Sequence, residues 1–120
     1  MASGIVRSDS TVETITLTKT SNATSATLVC QRYGKLCVVY VKSVTMASSC
    51  TGTYRYFPIA TGCPIPIGRT EASPSCAMNM DGSSAESYLS VDSDGRLMMN
   101  VRHTAINSKT LMGSIVYFTE

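Results

Sequence analysis

The side chains with chemistry to offer are one histidine, a few carboxylates, five cysteines and one aromatic cluster. His103 would need a nearby Ser or Cys nucleophile and an orienting acid to serve as a hydrolytic base. Serines are abundant, but none sits in a Gly-x-Ser-x-Gly elbow, so His103 reads as a surface or strand-end residue. Glycosidic cleavage needs two carboxylates at a set separation. Among Glu71, Asp81, Glu86, Asp92 and Asp94, three fall in turns and no spacing singles out a pair. The acidic stretch Asp92-Ser93-Asp94-Gly95 resembles the start of a calcium loop but lacks the later ligands and the distal glutamate. It reads as a hairpin turn. No catalytic residue, metal ligand or cofactor is expected, and the chain reads as a non-enzyme.

Cys30, Cys37, Cys50, Cys63 and Cys76 are odd in number and contain no Cys-x-x-Cys, which with one histidine excludes zinc-finger spacing. They are expected as free thiols of a protein made in a reducing cytoplasm. The stronger candidate is Tyr54-Arg55-Tyr56-Phe57. Aromatic faces and a guanidinium beside prolines suit stacking on sugar rings or anchoring a protein partner. Tyr54, Arg55 and Tyr56 are therefore the ligand-binding candidates, expected to share an exposed end with the loop Ile59 to Gly68. The competing role is packing, with Tyr56 or Phe57 in the core and Tyr54 on a subunit contact. Met78, Met80, Met98 and Met99 read as adaptable core packing.

The elements that must position these residues are strands. Ser and Thr are abundant while Leu, Ala, Glu and Lys are scarce, and no long amphipathic helix is visible. A chain of 120 residues makes one domain with one core. Charged residues make up 15 %, the net charge is +2, and no basic run carries interleaved aromatics, which argues against nucleic-acid binding. No apolar stretch approaches a membrane span, and no charged-then-apolar leader is seen.

Residues 1–12 read as a lead-in and 13–120 as a single β-sandwich domain. Thr14 to Thr18 alternates strictly, with Ile15 and Leu17 inward, and Ser21 to Ser25 is a polar turn. Ala26 to Gln31 is the next strand. A loop of Arg32-Tyr33-Gly34 pairs Leu28 with Val38 and Val29 with Cys37, with Gly34 left-handed. A two-residue Tyr33-Gly34 turn would instead set Cys30 opposite Cys37. Phe57 to Gly68 should be a loop or an edge, because Pro58, Pro64 and Pro66 cannot donate to a ladder. A strand from Ser75 to Met80 follows. In the hairpin Ala85 to Arg102, a three-residue loop Ser93-Asp94-Gly95 pairs Val91 with Leu97, Leu89 with Met99 and Ser87 with Val101. That register gathers one apolar face, where a one-residue slip would scatter it.

Two strands differ from the rest. Leu36 to Val41 and Leu111 to Phe118 are apolar on both parities, whereas a half-buried strand alternates. Their second faces need a cover, either an opposing part of the same chain or another copy of it. Seven or eight short strands with turns between them make an all-β, antiparallel, jelly-roll-like sandwich.

The order of segments carries a resemblance. Glu13-Thr14-Ile15-Thr16-Leu17 is followed by Gly34-Lys35-Leu36-Cys37-Val38-Val39, then by Gly62-Cys63-Pro64-Ile65-Pro66-Ile67-Gly68-Arg69. The hairpin Asp94-Gly95-Arg96-Leu97 and the terminal Gly113-Ser114-Ile115-Val116-Tyr117-Phe118-Thr119 complete it. Over Glu13 to Glu120 this resembles the small C-terminal β-sandwich domains of phage and prophage tail, baseplate or head-fibre proteins. Thr70 stands where many of those have a second proline after the arginine.

The resemblance implies a jelly-roll-like, trimeric virion domain, made in the host bacterial cytoplasm and packed against other virion proteins. Such a domain presents a surface to a cell-surface saccharide or protein receptor and has no shared catalytic residues. In a trimer the spare apolar faces would lie around the three-fold axis. The competing readings are a monomeric bacterial carbohydrate-binding or adhesin module and, behind it, a small glycan hydrolase or lyase.

Overall fold

The computed structural model describes residues 12–67, 75–79 (backbone), 87–102 and 104–119. Nine strands follow in chain order: β1 Val12–Ile15, β2 Thr18–Lys19, β3 Ala23–Tyr33, β4 Leu36–Met46, β5 Arg55–Thr61, β6 Ser75–Asn79, β7 Ser87–Val91, β8 Leu97–Val101 and β9 Thr110–Phe118. Every pairing is antiparallel, in the spatial order β1-β3-β4-β9-β6-β7-β8-β5-β2. The two ends of that order, β1 and β2, are separated in the chain only by Thr16 and Leu17. They are two halves of one interrupted strand, the first bonded to β3 and the second to β5. Counted so, eight strands wrap into two antiparallel layers, and β4·β9, β5·β8 and β6·β7 nest inside one another as in a jelly roll. The described residues contain no helix.

The core lies between the layers and follows strand parity. Cys37, Val39, Val41, Val44 and Met46 of β4 face inward, with Leu111, Ile115 and Tyr117 of β9, Leu89 and Val91 of β7 and Leu97, Met99 and Val101 of β8. Ile15 and Leu17 pack against this cluster, as their alternation predicts. The β7–β8 register is the expected one: Ser87 opposite Val101, Leu89 opposite Met99, Val91 opposite Leu97. Its turn closes with the Gly95 amide donating to the Asp92 carbonyl (3.0 Å) and Gly95 at φ 77°.

Three expectations need correction. The β3–β4 turn is Gly34-Lys35, so Tyr33 pairs with Leu36, Gln31 with Val38 and Cys30 with Val39. Glycine at the first central position with φ 61° is the turn that suits a twisted hairpin, and it spares Tyr33 a positive φ. The turn after β2 ends at Asn22: Ala23 is buried and already in β3, whose ladder is adjusted by bulges at Ala23/Ser25 and Thr27/Leu28. Finally, Thr53 to Ala60 also reads as a short strand or extended segment, and β5 does form there, but its half from Phe57 to Thr61 is interior strand and not a loop or edge. Pro58 is accommodated because β2 pairs only with Ala60 and Thr61, and a bulge falls between Pro58 and Ala60. The Pro58 carbonyl accepts from the side chains of Thr20 and Asn22 instead of a ladder amide.

Candidate functional site

Strand pairing brings together side chains that lie far apart in the chain. On the outer face of β7-β8-β5, Tyr88, Asn100 and Tyr56 form one row across three strands. The next position is occupied by Arg102 and Tyr54, joined by the Tyr54 amide donating to the Arg102 carbonyl (3.0 Å). With Ser90 and Val101 these residues line a shallow recess of about 130 Å³. Tyr54 and Tyr56 are 64 % and 72 % exposed, so their rings stand at its rim.

Local structure fixes this geometry. Asn100 donates through Nδ2 to the Tyr88 carbonyl (3.1 Å) and to Ser90 Oγ (2.9 Å), which pins the amide and leaves its oxygen as an acceptor. The Arg102 guanidinium lies over the Tyr88 ring, 5.4 Å from its centroid, holding both groups by cation–π attraction. Tyr54 holds φ 56°, an unfavourable backbone for a bulky side chain, after Gly52 at φ 98°. Strained backbone of this kind collects at functional surfaces. The described lining carries one cation, three phenols, an amide, a hydroxyl and no carboxylate. That inventory suits a polar ligand with a flat face to stack and hydroxyls to satisfy.

The three candidates read from the sequence are divided by the structure. Tyr54 and Tyr56 line the recess. Arg55, opposite Val101, has the other parity and lies over the Phe57 ring at 5.4 Å. Phe57 itself is core. The recess takes its guanidinium from Arg102 instead. The segment 62–67 also lies elsewhere, so the expected shared end is corrected. Tyr54 immediately precedes β5 and Gly62 immediately follows it, eight residues or roughly 25 Å away. There the segment contacts other elements: the Cys63 amide donates to the Gly95 carbonyl (3.0 Å) and Tyr117 Oη to the Pro64 carbonyl (2.7 Å). Ile59 and Ala60, expected in that loop, are buried in β5. Tyr88, Asn100 and Arg102 escaped sequence reasoning, although the 87–101 register already sets Tyr88 opposite Asn100.

The other broad face is different in kind. On the outer side of β1-β3-β4-β9 one row reads Val12, Tyr33, Leu36, Phe118. The next reads Thr14, Gln31, Val38, Val116, and a third reads Val29, Tyr40, Ser114. Phe118 and Val116 are 64 % and 56 % exposed, and Tyr33, Tyr40, Val12 and Val29 are also exposed. Ile67 extends the patch, its amide donating to the Phe118 carbonyl (3.0 Å). These are the second faces of the two doubly apolar strands, now seen to be neighbours.

Of the remaining sequence candidates, Asp92 is used locally. Its carboxylate accepts from the amides of Asp94 (3.0 Å) and Arg96 (2.9 Å) and from Arg96 Nε (2.6 Å). Burial alone would raise its pKa; the Arg96 and Asp94 hydrogen bonds outweigh this and hold it below the usual carboxylate range. No cluster of three or more metal-binding side chains occurs among the described residues. Cys30, Cys37, Cys50 and Cys63 are free and buried. His103, Glu71, Asp81, Glu86 and the side chains of Cys76, Met78 and Met80 lie outside the described residues.

No family model matches the chain, and no curated protein does. Among solved structures it is similar to the receptor binding protein (gp15) of Listeria phage PSA, with a TM-score of 0.63 at 19 % identity. The match covers 93 % of this chain and 67 % of that one. At that identity the likeness is one of fold: the chain shares its β architecture with that protein.

Proposed function

We propose that this chain is a non-enzymatic phage structural domain that trimerises and presents a receptor-binding surface to the host cell. The observation that carries this is the division of labour between the two broad faces. The outer face of β1-β3-β4-β9 carries a cluster of exposed aromatic and aliphatic side chains broken only by Thr14, Gln31 and Ser114, of a kind monomeric proteins rarely leave uncovered. The opposite layer holds a polar, aromatic-rimmed recess. Packing the first face around a three-fold axis turns the recess outward, three copies per particle, where weak sites gain from multivalency. The fold shared with a phage receptor binding protein supports the same reading. The ligand it favours is a cell-surface saccharide: tyrosine rings stack on sugar faces while Asn100 and Arg102 meet hydroxyls.

Binding of the intact domain to a glycan array and to host cells tests this. The double variant Tyr54→Ala, Tyr56→Ala should lose at least tenfold in retained signal while its thermal transition stays cooperative. Unchanged binding by the folded double variant would refute the assignment of the recess.

A further inference from the structure

The recess on β7-β8-β5 contains a charge that the fold leaves uncompensated. Arg102 lines it and lies over the Tyr88 ring at 5.4 Å, yet forms no ion pair among the described residues. The carboxylates among those residues are Glu13, Asp92 and Asp94. Asp92 and Asp94 are held by Arg96 at 2.6 and 3.8 Å in the β7–β8 turn, and Arg102 lies six residues beyond Arg96, roughly 20 Å along the strand. Glu13 sits opposite Arg32 on β1, in the other layer. A second guanidinium belongs to the same end: Arg55 begins the neighbouring strand, its Nη1 3.6 Å from where a side-chain carbon on Gly52 would be.

Neutral hydroxyls do not need such a group. Asn100 offers them its carbonyl oxygen, and Ser90, almost fully buried, accepts from Asn100 and keeps its own O–H to donate. A neutral ring laid over Arg102 would strip water from an uncompensated cation and return no charge. An oxyanion returns charge-assisted hydrogen bonds, and the planar fork of a guanidinium matches two oxygens of a carboxylate or phosphate. The Tyr88 ring holds that fork in place. At about 130 Å³ the recess is well under the roughly 300 Å³ that encloses a drug-sized ligand, so it takes one ring with its substituent, not a length of chain.

We propose that the recess selects a sugar residue bearing an oxyanion, either a carboxylate or a phosphate, and that Arg102 sets this selectivity. The proposal rests on the reading of the recess as the receptor site and names the class of saccharide it takes. The ring stacks on Tyr54 or Tyr56 at the rim, its hydroxyls meet Asn100 and Ser90, and its oxyanion faces Arg102. Arg55 adds to the positive field over the same end.

The test is titration of the full, isotope-labelled chain with matched monosaccharides, followed by amide chemical shifts. A gluco set and a galacto set each hold the methyl glycoside, the uronate and the 6-phosphate, with inorganic phosphate and acetate as bare anions. The expected result is perturbation of Tyr88, Asn100 and Arg102. At least one acidic sugar should bind about tenfold or more tightly than its methyl glycoside at low salt, and lose most of that margin at about 0.5 M sodium chloride. Comparing uronate with 6-phosphate tells carboxylate from phosphate. Arg102→Gln should abolish the margin while the methyl glycoside's affinity stays within about twofold, and Arg102→Lys should keep part of it. Methyl glycosides that bind the recess as tightly as their acidic partners, or an Arg102→Gln variant that weakens both alike, would overturn the selectivity and leave a neutral-sugar site. Bare anions that match the acidic sugars would overturn it in favour of an adventitious ion only. No perturbation of the recess by any member would overturn both the proposal and the receptor reading beneath it.

Discussion

Replacing Phe118 by Asp separates folding from assembly. Phe118 is 64 % exposed in the single chain, on the outer face of β9 beside Leu36. A Phe side chain buries on the order of 200 Å² when fully covered. The exposed share is therefore about 130 Å², worth roughly 3 kcal/mol per chain when a second copy covers it at about 25 cal/mol per Å². Aspartate forfeits that gain and adds a charge to be desolvated. Each subunit contact should weaken by at least about 100-fold, since 1.4 kcal/mol is a factor of ten. Within one chain the loss is limited to cross-strand packing against Leu36, about 0.2–1 kcal/mol. Sedimentation velocity across a concentration series should show the wild type associated and Phe118→Asp dissociated. Thermal melts should show the wild-type midpoint rising with concentration and the variant's staying constant. Identical sedimentation of the two folded proteins would refute the reasoning, whether both are associated or both monomeric.

Gly95→Ala should cost about 2–4 kcal/mol in chemical denaturation, because φ 77° is combined with a methyl placed 2.5 Å from the Cys63 carbonyl oxygen. Gly34→Ala, with φ 61° and nothing within 4 Å, should cost only about 1 kcal/mol, and equal losses would contradict the close approach. Asp92 has a folded pKa held below its unfolded value, so its contribution is fully present above the unfolded carboxyl value and is lost as pH falls through the lowered one. Asp92→Asn should remove that share of the acid-limb slope in stability against pH, and an unchanged slope would count against the Asp92–Arg96 interaction.

How far the sequence reveals these features depends on whether a strand has one wet face. In β7 and β8 the second face is partly wet only at Tyr88 and Asn100, away from the turn, and there a slipped register would expose Leu89 or bury Asn100, so the correct pairing is readable. In β4 both faces are apolar, so sliding β3 along it carries no such penalty. The pattern therefore permits a loop at 32–34 where the chain turns at Gly34-Lys35. Pro58 misleads for a related reason: a missing amide excludes a residue from a fully bonded ladder, but the short partner β2 leaves that amide position without a ladder to serve. The aromatic half of the recess is local in sequence and visible as Tyr54 and Tyr56. Tyr88, Asn100 and Arg102 join it only through the β5–β8 pairing, which no local pattern specifies. The apolar outer face is legible strand by strand; that β4 and β9 are adjacent is a fact of topology.

The most direct test of the two-faced account is chemical-shift mapping of the labelled domain with the glycan that the array retains most strongly. The account predicts perturbations at Tyr54, Tyr56, Tyr88, Asn100 and Arg102, with Val29, Tyr40, Val116 and Phe118 unmoved. Perturbations confined to the outer face of β3, β4 and β9, or no glycan retained and none perturbing the recess, would contradict it.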